Sequence, residues 1–269
     1  MHELLIPMRW ADLDQLNHVN NVVYVDYAEQ ARAALAESGE VADERVSLVD
    51  VEFRRPLLLS RTPVRVRTSV EAGATVHEIA PDGAEAPFAT VRLGTTGEPE
   101  RLDGPPDRDG ALALRRGDVG PDGTVTPTRF FELCQESRIL SFAALFPEGR
   151  AGSFVVGRVT MSLGEPLPWQ AEPVPVTTLV TRVGTSSFAT TTYFGRRPAR
   201  QRHLRPRRLR PRGADLPRPG RPGARPARVR ARDGLTRRRA QGRSAGLRLI
   251  HHAVLVGSWP PALRRATRC

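Results

Sequence analysis

The sequence predicts an α+β fold in which antiparallel strands pack against long helices. Residues 1–100 contain a predicted strand, a helix and then a run of strands, an order typical of an antiparallel sheet beside one helix. Residues 111–195 repeat that order, whereas residues 196–269 differ from both in composition. We therefore expect a first domain at 1–100, a linker at 101–110, a second domain at 111–195 and a separate tail.

The first domain is expected to open with a strand in the apolar segment 3–10, followed by a helix from about Asn20 to Glu37. Gly39 is typical of a helix end. Apolar residues at helical spacing predict one buried face, formed by Val23, Tyr27, Ala31, Ala34 and Leu35.

Segments rich in β-branched residues predict four strands after this helix, at 46–55, 63–72, 75–80 and 88–95. In the second of them, valines and Thr68 alternate with Arg65 and Arg67. Alternation of this kind predicts a strand that is buried on its valine face and exposed on its arginine face.

A tandem duplication explains the second domain. With an offset of 106 residues and no gap, Asp12 matches Asp118 and Val19 matches Val125. After a four-residue insertion, the valines that begin at Val64 match those that begin at Val174. The shared register predicts two copies of one fold in a single chain.

The net positive charge of the chain comes entirely from the tail. The whole sequence has a formal charge of +12, but residues 1–195 hold 18 Arg against 27 acidic residues. A basic tail can be a disordered arm that binds nucleic acid. We favour out-of-frame translation that replaces the last strand of the second domain, because the lysine-free composition fits a GC-rich gene. Nucleic acid is therefore not an expected partner.

Other classes of protein are disfavoured by composition. The two cysteines, Cys134 and Cys269, do not suggest a disulfide framework. No segment reaches the roughly 18 apolar residues of a membrane span, and the first residues lack the basic leader of a secreted protein. We expect a cytoplasmic protein without a membrane partner, and no metal site at the His251–His252 pair.

Polar residues crowd the segment just before the first helix, where Asp12, Asp14, His18, Asn20 and Asn21 lie within ten residues. Asparagine is a favourable N-cap residue, so part of this pattern is explained by the start of the helix. A capped helix alone, however, does not require two aspartates and a histidine in the preceding loop.

The segment resembles the hotdog-fold thioesterases, specifically the 4-hydroxybenzoyl-CoA and acyl-CoA thioesterase family. That family carries an aromatic-x-Asp-x-Asp loop, Gly or Asn, His-Val-Asn-Asn, Tyr and then Glu-x-x-Arg on the helix. The matching residues are Trp10, Asp12, Asp14, Asn17, His18, Val19, Asn20, Asn21, Tyr24, Glu29 and Arg32. The resemblance implies a tandem double hotdog, each unit a curved antiparallel sheet around a long helix, with the active site at the seam.

The resemblance also implies roles for residues in this segment. Asp14 would attack the thioester carbonyl or activate a water, and free N–H groups at the helix start would stabilise the oxyanion. His18 and Asn20 would hold the loop and the substrate carbonyl. Asn17, Asn21, Val23 and Tyr24 would contact substrate. Asp12 is expected to bond within the loop, and Glu29 with Arg32 to form a surface pair. No cofactor or metal is implied.

Three alternatives remain open at this stage. Acyl-ACP thioesterases share the motif but would carry Asn where this chain has Leu16, and a non-catalytic acyl-CoA-binding module would keep the fold alone. Nucleic-acid binding depends only on the tail. The second domain has Gly120 for Asp14 and Thr124 for His18, so we expect a structural partner there. Gln135 and Glu136 on its helix are expected to be exposed, and a side chain at one of them that reaches the seam is the alternative. A homodimer is also possible.

Overall fold

The computed structural model describes residues 1–95, 108–145, 154–195 and 249–257. The first half contains one helix and five strands: β1 (His2–Ile6), α1 (Asn21–Glu37), β2 (Leu48–Phe53), β3 (Val64–Glu71), β4 (Ala74–Pro81) and β5 (Ala89–Gly94). The second half repeats this order: β6 (Arg108–Leu112), α2 (Pro127–Leu145), β7 (Phe154–Leu163), β8 (Val174–Val183), β9 (Ser187–Phe194) and β10 (Leu249–Gly257).

The ten strands form one antiparallel sheet in the order β1-β3-β4-β5-β2-β7-β10-β9-β8-β6. Each half contributes five neighbouring strands, and the second five appear in the reverse of the corresponding order of the first. The halves meet where β2 pairs with β7, in a register that joins Val51 to Val159. The observed strand order is therefore symmetric about the β2–β7 pair.

Helix α1 is buried more widely than the sequence predicts. Its buried residues are Val22, Tyr24, Val25, Tyr27, Ala28, Ala31 and Leu35. Val23 is half-buried and packs against the core, whereas Ala34 is exposed, so only the assignment of Ala34 to the buried face was wrong. The reason is that α1 packs against strands β3, β4 and β5 and also against α2. A helix covered on two sides buries more than one narrow stripe of residues.

Strand β3 shows a second difference from the predicted pattern. Val64, Val66 and Thr68 are buried as expected, but Val70 is half exposed near the strand end. Arg65 is also buried, because its guanidinium reaches Asp82 at 3.3 Å and the Ala84 carbonyl. Arg65 is thus buried by the loop after β4, although it lies on the face of β3 that was predicted to be exposed.

Strand β10 lies within the tail and fills the place in the second half that β5 fills in the first. It pairs with β7 on one side and with β9 on the other. The expectation that residues 196–269 leave the second half without its last strand is therefore wrong for 249–257. The rest of the predicted tail lies outside the described residues, as does the predicted linker up to residue 107.

The described parts of the chain contain no helix that is both long enough and apolar enough to cross a membrane. Cys134 is a buried free thiol on α2. The predicted α+β class is confirmed, as is the packing of long helices against one large antiparallel sheet.

Candidate functional site

The candidate site is built on the loop between β1 and α1, which is fixed by its own hydrogen bonds. The Asn20 N–H donates to the Asp12 carbonyl at 2.8 Å, and the Asp14 N–H donates to the His18 carbonyl at 2.8 Å. The Asp12 carboxylate accepts from the Tyr27 hydroxyl at 2.8 Å. The loop is therefore held against the first turns of α1, and the expected loop-bonding role of Asp12 is confirmed.

Asp14 is half-buried and has one carboxylate oxygen engaged in the loop. Its Oδ1 accepts from the backbone N–H of Leu16 at 2.8 Å and of His18 at 3.1 Å. Its other oxygen accepts no hydrogen bond from any described residue. An anchored carboxylate with one free oxygen has the geometry of a positioned base or nucleophile.

The start of α1 offers hydrogen-bond donors beside this loop. Asn20 is the N-cap, and its Oδ1 accepts from the Val22 N–H at 3.2 Å, as the sequence predicts. The Val23 N–H donates to the Asn20 carbonyl at 2.9 Å. Within the described chain, the Asn21 N–H has no acceptor. Helix N-termini carry partial positive charge, so this N–H is placed to stabilise a negative oxygen.

A residue of the second half completes this helix start. The Gln135 Nε2 on α2 donates to the Asn20 Oδ1 at 3.3 Å. Glu136 is exposed as expected, whereas the expectation that Gln135 is an exposed helix residue was wrong, because its side chain contacts Asn20 on the other helix. The Gln135 side chain holds the Asn20 amide so that its oxygen faces the helix and its NH2 group remains available.

Two of the residues predicted to contact substrate, Tyr24 and Asn17, differ in their exposure to solvent. Tyr24 is fully buried, and its hydroxyl accepts from the Leu57 N–H at 3.1 Å. Burial raises the pKa of Tyr24, so it stays neutral. Asn17 is exposed and has a φ of 57°, a left-handed conformation that asparagine tolerates. Contact of substrate with these two residues and with Asn21 and Val23 stays a prediction.

His18 lies at the rim of the loop. It is half-buried, and its backbone forms a β-bridge with Leu58. Among the described residues, no hydrogen-bond partner contacts its imidazole ring. The structure thus places His18 beside Asp14 through the backbone, and its catalytic role stays a prediction.

The second half has the same loop without the carboxylate. The Gly120 N–H donates to the Thr124 carbonyl at 2.8 Å, and Gly123 has the left-handed conformation, with a φ of 75°. Asp122 takes over the loop bonding and accepts from the Thr124 N–H at 2.9 Å. The backbone of the loop therefore forms without an aspartate at the position that corresponds to Asp14.

Glu29 and Arg32 do not form the predicted surface pair. The Arg32 guanidinium donates to the carbonyls of Ala42 at 3.0 Å and Glu44 at 2.7 Å. The Glu29 carboxylate instead accepts from the Thr128 hydroxyl on α2. Burial raises the pKa of Glu29, although its bonds to Thr128 oppose the change. The offset of 106 residues matches Glu29 to Gln135, a signal that the sequence already held.

One family model matches the chain. It describes the C-terminal domain of acyl-ACP thioesterases and matches residues 1–80, which include Asp14, His18 and Asn20. No curated protein matches the chain. The match therefore falls on the half that carries the candidate site, and it covers less than half of the sequence.

Solved structures resemble the chain over most of its length. A protein from Lactobacillus plantarum, provisionally named an oleoyl thioesterase, has a TM-score of 0.57 at 8% identity, with 95% of both chains covered. An acyl-ACP thioesterase from Bacteroides thetaiotaomicron has a TM-score of 0.53 at 9% identity, covering 94% of this chain and 97% of the other. The 12:0-ACP thioesterase from Umbellularia californica has a TM-score of 0.52 at 12% identity, covering 72% and 92%. The chain shares the fold of these proteins.

Proposed function

We propose that the chain is a hydrolase that cleaves acyl thioesters to a free carboxylic acid and a thiol. The matched family model and the shared fold both indicate a thioester hydrolase. The observation that carries the proposal is Asp14, whose carboxylate has one anchored and one free oxygen beside the start of α1. No metal or cofactor takes part in the proposed reaction.

The chemistry follows from these groups. Asp14 attacks the thioester carbonyl carbon, or removes a proton from a water that attacks it. The negative charge that develops on the carbonyl oxygen is stabilised by the Asn21 N–H and the Asn20 NH2 group. The C–S bond then breaks, and the thiolate takes up a proton. When Asp14 is the nucleophile, water then cleaves the Asp14–acyl anhydride, which releases the acid and restores the carboxylate. In both routes, water supplies a hydroxyl to the acyl group and a proton to the thiol.

The two halves are interpreted as tandem hotdog units, of which the first supplies the chemistry. The equal loops before α1 and α2 and the symmetric strand order support this interpretation. The second unit lacks a carboxylate at Gly120 and contributes Gln135 to the site of the first. One active site per chain follows from this arrangement.

The nature of the thiol carrier has two candidates. Resemblance of residues 9–32 to the 4-hydroxybenzoyl-CoA and acyl-CoA thioesterases favours acyl-CoA or aroyl-CoA thioesters. The match to a model of acyl-ACP thioesterases favours a carrier protein. A module that binds acyl-CoA without cleaving it would share the fold but show no turnover.

Replacement of Asp14 tests the proposal directly. We expect D14N to lower kcat/KM on acyl or aroyl thioesters by about 100- to 10,000-fold, the usual contribution of a catalytic base. D122N, which alters the loop-bonding carboxylate of the second half, is the matched control and should change activity less than about twofold. Unchanged turnover of D14N would exclude Asp14 from catalysis. Absence of turnover in the folded wild-type chain would favour a binding module.

A further inference from the structure

The segment Arg54–Arg61 borders the loop that carries Asp14. The backbone of Leu58 in this segment forms a β-bridge with His18. The Val19 N–H donates to the Leu57 carbonyl at 2.9 Å, and Leu57 is fully buried. Two anchors therefore fix the segment along the rim of the candidate site, and the residues on either side of Leu57 face solvent.

Large apolar side chains are exposed around this rim. Exposed fractions are 81% for Trp10, 62% for Leu16, 58% for Leu58 and 49% for Leu59. Single exposed apolar residues are normal on soluble proteins, but a group of four from two adjoining segments is typical of an interaction site.

The same rim carries exposed positive charge. Arg54, Arg55 and Arg61 are exposed, although residues 1–195 as a whole are net acidic. Arg54 pairs with the exposed Glu52 at 3.0 Å, a contact that contributes little in water. Within the described chain, Arg61 has no acidic partner. Arg55 lies over the Phe88 ring, with its guanidinium carbon 5.7 Å from the ring centre. The rim thus combines exposed apolar side chains with the unpaired Arg61 and the weakly paired Arg54, two guanidinium groups that can bind an anionic surface.

The corresponding rim in the second half has a different composition. Residues 164–171 align with 54–61 but contain no arginine and carry Glu165. Arg116 replaces Trp10 at the matching position and lies 3.3 Å from the ring centre of Trp169. This stacked pair covers the apolar surface there. The exposed, basic and apolar rim is therefore confined to the half that carries Asp14.

We infer that this rim, formed by Trp10, Leu16 and the segment 54–61, is the docking surface for an acidic carrier protein that holds the acyl group on a flexible thioester arm. The inference rests on the proposed function, because the carrier must place its thioester at Asp14. Protein interfaces combine an apolar centre with a polar rim and gain specificity from complementary charge. CoA, the alternative carrier, would pair its phosphates with the arginines but would leave the exposed leucines without an apolar partner.

Charge reversal separates the two carriers. One acyl group is presented to the full chain on an acidic acyl carrier protein, on CoA and on N-acetylcysteamine. The R54E/R61E variant should raise KM for the carrier-protein substrate at least about tenfold, while hydrolysis of the N-acetylcysteamine thioester changes no more than in the control. The matched control is R182E, which reverses the charge of an exposed arginine on β8 of the second half, outside the rim.

Binding is measured separately from turnover, by fluorescence anisotropy of a labelled acyl carrier protein with the D14N chain. Binding that R54E/R61E weakens, and that added salt also weakens, supports the docking surface even if no thioester is cleaved. Equal losses with carrier protein and CoA would assign the arginines to nucleotide phosphates instead. Carrier binding unaffected by R54E/R61E would overturn the inference, whereas a lack of hydrolysis on all three thioesters would overturn only the proposed function.

Discussion

The two helix starts have the same scaffold and different chemistry. Each follows a loop with the same backbone bonds, and each is approached by a side chain from the other helix at matching positions, Gln135 and Glu29. At α1, the approaching group is a neutral amide that bonds the N-cap side chain. At α2, it is a carboxylate that bonds Thr128.

Under the proposed function, the difference decides which helix start is open to a substrate oxygen. Helix α2 begins with Pro127, which has no N–H, and Thr126 accepts from the Arg129 N–H at 3.3 Å. The Glu29 carboxylate occupies the remaining position near Thr128. Helix α1 begins with Asn21, whose N–H has no acceptor among the described residues. A helix start attracts hydrogen-bond acceptors, and in the second half the Glu29 carboxyl group of the protein itself fills that place.

The largest expected difference in activity is between the variants N20A and T126A, which alter the residues that cap α1 and α2. Both remove an N-cap oxygen, so each should lower the free energy of unfolding by about 1 kcal/mol. Only N20A should lower kcat/KM, by about 100-fold, because its side chain also faces the proposed oxyanion. Steady-state kinetics and urea unfolding of both variants measure this. Equal activity losses would mean that the two helix starts do not differ in function.

A second contrast lies in the sheet, where Thr68 faces His77 and the matching Thr178 faces Thr192. The His77 ring bonds Thr68 at 2.9 Å and Thr75 at 2.8 Å, and burial lowers its pKa to about 3. Because the unfolded chain binds a proton near pH 6.5, the neutral ring stabilises the fold above that pH. This contribution is lost as the pH falls from 6.5 towards 3.

The variant H77T gives the first half the residue that the second half already has. Its free energy of unfolding should fall less steeply with acid, by up to about 1.4 kcal/mol per pH unit between pH 6 and 4. Urea unfolding at a series of pH values measures the slope. The variant T192S, a conservative change in the second half, should keep the wild-type slope. An unchanged slope in H77T would show that His77 is protonated in the fold.

A smaller effect is expected for E29Q. Because the pKa of Glu29 is raised in the fold, wild-type stability declines as pH rises from the unfolded value of 4.5 through the folded pKa. Glutamine still accepts from Thr128 but carries no charge. We expect E29Q to gain about 1 kcal/mol at neutral pH and nothing at pH 4. The variant Q135E, which places a carboxyl group at the matching position, should lower the free energy of unfolding at neutral pH. An effect of E29Q on stability that does not change with pH would contradict this account.

The smallest effect is expected for Q135L, which removes the amide that bonds Asn20. A neutral hydrogen bond contributes about 1 kcal/mol, so kcat/KM should fall about fivefold or less. The loss should be absent in the N20A background, because the bond is already gone there. A double-mutant cycle on kcat/KM measures this. Additive losses would mean that Gln135 acts independently of Asn20.

Local patterns in the sequence predicted the fold class and the capped helix start of the candidate site. The boundaries of α1, the cap at Asn20 and the strands of the first half follow from short-range spacing and capping chemistry. Contacts between distant segments did not follow from them. Glu29 was assigned to the surface because its partner, Thr128, lies in the other half of the chain.

Burial by remote elements caused the other differences. Arg65 is buried by the loop after β4, and α2 covers a second side of α1. The composition of the tail obscured β10, although its apolar residues match those of a buried strand. A single sequence shows which residues favour a strand, but the neighbour that pairs with it is decided by the assembled sheet.

Strand β10 has a consequence for synthesis of the protein. It is inserted between β7 and β9, yet it leaves the ribosome long after both of them. Until then, β7 and β9 each have one strand edge without a partner, and such edges pair readily with other chains. Because distant strand pairing also folds slowly, the nascent second half is exposed to aggregation for longer than the first. The first half, with its five strands in consecutive sequence, offers a completed template onto which the second half assembles.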